Sequence, residues 1–239
     1  GVELATSNKP WSLGIYRSSA SSGGKPESTV VYFGDRLPVM SAAFINACFG
    51  HGFEIDDIYP PGLSHPGTVI IPAAMALGER EGINGKRLIL AVATGYEVMG
   101  RVGMGTAPSI LTSGHHPTAG AGPFGAAAVG AKILNFDAEL MLHALGIAGI
   151  TSCGLGEFNQ TGGSVKKILG GLAADGGLRA AFLAKEGITG PPTILEGDRG
   201  YFKAFSSENK AHVVIADLGK RWAVMDTGYK IHANCAANH

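Results

Sequence analysis

The chain has 239 residues, enough for one large domain or two small ones. Hydrophobic residues make up 45% and charged residues only 16%, with 37 glycines and many alanines filling the deficit, so helices can pack backbone against backbone. Nineteen basic and nineteen acidic side chains cancel, which excludes the basic excess of a nucleic-acid-binding surface and makes any attraction for an anion local.

Residues 1–37 are polar, with a Ser/Gly run at 18–24, and read as extended connections with one short strand at Thr29–Phe33. Helical patterning begins at Pro38 and runs to about Gly50. A long loop follows over 51–67, carrying Glu54, Asp56, Asp57 and three prolines. The next helix spans roughly 68–81, where Pro72 is tolerable only near the first turn. Asn84-Gly85 punctuates, and a helix from Gly85 to about 104 follows. A Gly/Ser/His/Pro loop covers 105–116, and Pro117 opens an Ala/Gly-rich helix over 118–134. Asp137 is a good N-cap for 138–151. After a loop at 153–163, Ser164 is expected to cap a long helix to about Lys185, ended by Gly187. Short elements are expected near 199–206 and 209–217, and a strand near Tyr229. The fold class is all-α.

Cys48, Cys153 and Cys235 are odd in number and form no CxxC pair, which argues against a disulfide framework or thiolate metal site and fits a reducing, cytoplasmic compartment. The longest apolar run, about 69–77, contains Pro72 and is too short for a bilayer. No signal-peptide pattern is visible. Gly1 in place of Met, and an open run after Tyr229, point to a fragment.

Three helices are expected to start beside a base: His65-Pro66, His116-Pro117 and Ser164-Val165-Lys166. This runs against the dipole preference for acids at helix N-termini. Free amides and the positive dipole end favour carboxylates, and an adjacent base is justified when an anion binds there. One such site alone is an ordinary surface group; three together suggest an anion pocket. The acidic loop is the counterpart: one of its carboxylates could orient a histidine or move a proton, while others cap turns or face solvent. Adjacent Asp56 and Asp57 point differently, so at most one of the two is expected in the site. No GxxxxGK[ST] motif precedes Lys166, and Gly120–Gly125 follows a His-Pro loop instead of a strand, so neither is a nucleotide site. His115-His116 lacks HExxH geometry, although a metal hydrolase using His115, His116 and Asp56 is a third reading.

The ordered series Ala43-Phe44-Ile45-Asn46, His51 to Asp57, Ser64-His65-Pro66, Gly95-Tyr96-Glu97-Val98, His116-Pro117-Thr118, Gly122 to Ala128, Ser164-Val165-Lys166 and Gly187 to Pro191 resembles the MmgE/PrpD family. That family includes 2-methylcitrate dehydratases, cis-aconitate decarboxylases and an iminodisuccinate epimerase. The resemblance implies a large helical domain over residues 1–226, with 227–239 opening a smaller α/β lid domain, and an active site between them. It also implies a homodimer, a small polycarboxylate substrate, and no metal or organic cofactor. The family's site histidines match His65 and His116, its helix lysine Lys166, and its lid-entry lysine Lys230. With these go Asp56 as a catalytic carboxylate and Glu54 and Asp57 as substrate contacts. The family loop DFDDT reads Glu54-Ile55-Asp56-Asp57-Ile58 here, so a carboxylate moves by one methylene and a hydroxyl is lost. The expected activity is cofactor-free elimination of water next to a carboxylate. Decarboxylation, epimerisation and a catalytically inactive helical interaction domain are the alternatives.

Overall fold

The computed structural model describes residues 6–208 and 210–238. Its helices, in chain order, are α1 (Pro10–Ala20), α2 (Val39–His51), α3 (Gly67–Glu81), α4 (Gly85–Met104), α5 (Ser109–Thr112), α6 (Pro117–Ile133), α7 (Ala138–Ile150), α8 (Phe158–Thr161), α9 (Leu169–Lys185), α10 (Tyr201–Phe205) and α11 (Ala211–Ile215). Two-residue strands β1 (Ser28–Thr29) and β2 (Arg36–Leu37) pair antiparallel, as do β3 (Asp57–Ile58) and β4 (Gly228–Tyr229). The domain is therefore all-α, with sheet confined, among the described residues, to these two pairings.

Helix α6 is the axis of the fold, buried at every position except Lys132. It packs against α3, α4, α7 and α9, while α2 packs on α3 and α9. Small side chains make this possible. A Cβ added at Gly177 of α9 would lie 2.4 Å from the Pro123 carbonyl oxygen of α6, so a larger residue there would force the two helices apart. Pro123 removes the amide that would have bonded Ala119. The freed Ala119 carbonyl accepts from the Cys153 N–H at 3.5 Å, and Ser152 Oγ donates to Gly120 O at 2.8 Å. The proline thus ties the loop after α7 to the first turns of α6.

Helices α4 and α7 begin where their caps require, with Asn84 accepting from the Arg87 N–H and Asp137 from the Leu140 N–H. Four expectations need correction. Residues 10–20 are helical, not extended: Pro10 occupies the first helical position and Trp11 and Ile15 pack on the core, which a serine-rich sequence hides. The strand expected at Thr29–Phe33 is Ser28–Thr29, because the chain turns back through Val30 N–H to Asp35 O and Gly34 N–H to Val30 O. Pro72 lies buried in the second turn of α3, not the first, and lacks the amide that would have bonded Thr68. Ser164 makes no cap; a 3-10 turn at Val165–Ile168 precedes α9, which begins at Leu169. Residues 1–5, Asn209 and His239, which belong to the expected N-terminal connection, the element near 209–217 and the C-terminal strand region, lie outside the described residues.

Candidate functional site

The site grows from three chain segments that the core helices aim at one another. Helix α2 ends in His51, and the chain turns through Glu54, held in the left-handed region at φ 61°, into Asp56 and β3. His65 lies just before α3, and His116 immediately precedes α6. Their rings cluster with that of His51, with centroid separations of 5.5 Å (His51–His65), 5.8 Å (His51–His116) and 6.4 Å (His65–His116). Strand β4 pairs with β3 and delivers Lys230, whose N–H donates to Asp56 O at 3.3 Å.

The charged groups form a chain. Lys166 Nζ lies 2.6 Å from Glu54 Oε1, and Lys230 Nζ lies 3.2 Å from Glu54 Oε2. Lys230 Nζ also lies 2.6 Å from Asp56 Oδ1, an ion pair whose angles fall outside hydrogen-bond geometry. Asp56 Oδ2 then accepts from His51 Nδ1 at 2.7 Å and sits 3.8 Å from His65 Nδ1. Burial alone would raise Asp56, yet His51, His65 and Lys230 together hold its carboxyl well below the usual range. Burial likewise opposes ionisation of Glu54, but Lys166 first, then His51 and Lys230, leave it lowered.

The imidazoles behave in the opposite sense. Burial pushes His65 down to about 4; Asp56 pulls it up, while His51 and Lys230 add to the depression. His116 is held well below its ordinary value by burial, then by His51, His65 and Lys166. Both rings are therefore neutral at pH 7. His65 Nδ1 lies 2.7 Å from the Asp57 carbonyl, which can only accept, so Nδ1 carries the hydrogen and Nε2 holds the lone pair.

His65, His116, Lys166 and Lys230 line one cavity of about 550 Å³, together with Asn159 and Tyr229. Glu54 and Asp56 stand behind the lysines. Asp57 does not line this cavity. Its carboxylate accepts from the Gly67 N–H at 2.9 and 3.0 Å and from the Tyr96 hydroxyl at 2.8 Å, so it fills the start of α3 where a substrate anion was expected. Burial pushes Asp57 up to about 6, the Asp56 charge adds to this, and the Tyr96 and Gly67 bonds oppose it. Lys166 sits in the 3-10 turn before α9, not in that helix's first turn.

His115 turns onto Phe205, at 4.6 Å between ring centroids, and so does not converge with His116 and Asp56. Among the described residues no group of three or more His, Cys, Asp or Glu is placed to hold a metal ion. No helix among them is long and apolar enough to cross a membrane. His51 and Asn159 were not singled out from the sequence. For His51 a usable signal existed, a histidine five residues before Asp56 at the end of an apolar helix; nothing local marks Asn159.

The MmgE/PrpD N-terminal domain matches residues 1–214. The chain is 33% identical over 244 residues to cis-aconitate decarboxylase of Aspergillus terreus, covering 96% of this chain and 49% of that protein. It is 30% identical to cis-aconitate decarboxylase of Homo sapiens, over 90% of this chain and 44% of that protein. It is 31% identical to cis-aconitate decarboxylase of Mus musculus, over 78% and 38%. The chain thus spans about half the length of the curated relatives it matches. On the domain match and these identities, the chain belongs to the MmgE/PrpD family.

Proposed function

We propose that the protein is a cofactor-free lyase acting on a small unsaturated or hydroxylated polycarboxylate, with loss of carbon dioxide from a cis-aconitate-like tricarboxylate as its first reading. The observation that carries it is the convergence of two lysines and two imidazoles on one cavity. Relatives named as decarboxylases in fungi and mammals move decarboxylation ahead of water elimination.

In this reading Lys166 and Lys230 hold substrate carboxylates, and their charge stabilises the enolate-like intermediate. The carbon–carboxylate bond breaks and carbon dioxide leaves. Its electron pair forms a new double bond, and the old one shifts its electrons to a carbon next to a second carboxylate. His116 donates a proton to that carbon. An anion in the cavity raises the proton affinity of the neighbouring imidazoles, so substrate binding draws in the proton that is transferred. Asp56 holds Lys230 and the imidazoles in place, and Glu54 neutralises the lysines until substrate displaces it. Asp57 contributes by fixing the start of α3.

Water elimination is the second reading. It is favoured by the lone pair on His65 Nε2, a base that decarboxylation does not need. The remaining family features accompany either reading: residues 1–226 as the helical domain, 227–239 as the opening of an α/β lid, a homodimer, a cytoplasmic setting and no metal or organic cofactor.

Proton NMR in D₂O with cis-aconitate, and separately with 2-methylcitrate, tests the proposal. The expected result is carbon dioxide release from cis-aconitate with one solvent deuteron in the product. Conversion of 2-methylcitrate alone would select water elimination, and no turnover or solvent exchange with either would overturn the lyase reading.

A further inference from the structure

We propose that His51, backed by Asp56, is the proton relay that recharges His116. The proposal rests on the lyase reading of the cavity.

His51 is fully buried at the end of α2 and does not line the cavity, so it acts through another residue and not on substrate. Its Nδ1 meets Asp56 Oδ2 at 2.7 Å. An ionised carboxylate only accepts, so Nδ1 carries the hydrogen and Nε2 is the nitrogen free to gain or lose one. Among the described residues His51 Nε2 has no hydrogen-bond partner, and neither has Nδ1 of His116. The two rings meet edge to face, with centroids 5.8 Å apart and planes at 69°. One bridging water would span that separation. Two buried, unpaired nitrogens on adjacent rings are costly as static features. They are intelligible if one proton is shared between them.

The step balances. The His116 Nε2–H bond breaks as the C–H bond of product forms. The Nε2–H bond of a His51 imidazolium breaks as an Nδ1–H bond forms on His116. His51 returns to the neutral form hydrogen-bonded to Asp56. Solvent then protonates His116 Nε2 through the open cavity, and the Nδ1 proton goes back to His51. One proton enters product and no electrons are exchanged with any other group. The charged and titratable groups around His51 are Asp56 and Glu54 on the loop that follows α2, and His65 and His116 at the starts of α3 and α6; Lys230 and Lys166 lie beyond the carboxylates. Gly170 of α9 packs against the His51 Cβ, and Lys167, in the 3-10 turn before α9, donates from Nζ to the Gly52 carbonyl at 3.3 Å, next to His51 in the chain.

Nitrogen-15 NMR of histidine-labelled protein across pH, with tricarballylate as the bound anion, tests the relay. His51 and His116 should titrate in shared macroscopic steps. Independent single-step curves would overturn the relay, and this readout needs no variant. In His51→Gln the His116 curve should collapse to one step. Turnover of cis-aconitate should fall about 100-fold in kcat with KM unchanged, and the acid limb of the pH–rate profile should move. An unaltered profile in a folded His51→Gln protein would also overturn it. Shared titration without turnover of any polycarboxylate would support the relay while removing the lyase reading, so the two failures are separable.

Discussion

The two walls of the cavity are built differently. The histidine wall stands at the starts of α3 and α6, helices locked into the core. The lysine wall stands on a 3-10 turn and a two-residue strand, outside the helices that form that core. Burial keeps the imidazoles uncharged, whereas carboxylate partners keep the ammonium groups paired. In the proposed reaction, proton handling falls to the buried imidazoles, and anion capture falls to segments tied down by ion pairs that a substrate carboxylate would replace. Asp56 and Asp57 repeat the contrast within one dipeptide: Asp56, just before β3, meets His51 and Lys230, while Asp57, which opens it, meets the neutral donors of Gly67 and Tyr96, and their proton affinities move in opposite directions.

The largest expected effect breaks the lysine wall. Lys166→Ala should reduce turnover about 1,000-fold while circular dichroism stays unchanged, since charge at the developing anion is lost; full activity would refute its role. Breaking the histidine wall comes next. His116→Gln should cost about 100-fold in kcat and flatten the pH profile, measured under steady-state conditions. Glu54→Gln sharpens the comparison from the other side. It frees Lys166 and leaves Lys230 paired with Asp56 alone, so KM for a tricarboxylate should fall roughly tenfold, about 1.4 kcal/mol; a rise in KM would mean that Glu54 organises the lysines instead of competing with substrate.

The smallest effect concerns stability. His65, lowered from 6.5 to about 4, and His116, lowered well below 6.5, bind fewer protons folded than unfolded, so stability rises with pH below the ordinary value of 6.5. Asp57, raised from 3.8 to about 6, binds more protons folded and opposes them in that lower range. Two imidazoles outweigh one carboxyl, and urea unfolding should show a net loss on the order of 2 kcal/mol from pH 7 to pH 5. Asp57→Asn removes the opposing group. It should steepen that loss and cost about 1 kcal/mol at pH 7 through the weakened α3 start.

Helices α4 and α7 were legible because Asn84 and Asp137 announce them locally. Helix α1 was not, since its stability comes from Trp11 and Ile15 packing on distant residues and not from its serines. In the site, the ordered motifs carry His65, His116 and Lys166, the family resemblance adds Lys230, and the structure brings all four to one cavity. The family resemblance placed Asp57 at the substrate; its actual partners, Gly67 and Tyr96, are ten and 39 residues away. His51 escaped notice because its pairing with Asp56 depends on the turn at Glu54, whose left-handed backbone no residue type there announces.

Isothermal titration calorimetry with tricarballylate, a saturated anion that cannot turn over, tests anion capture between the two walls most directly. Saturable binding is predicted, with an enthalpy that varies with buffer because imidazoles take up protons, and with loss of that binding in Lys166→Ala. Absence of saturable heat, or equal binding in wild type and Lys166→Ala, would contradict the account.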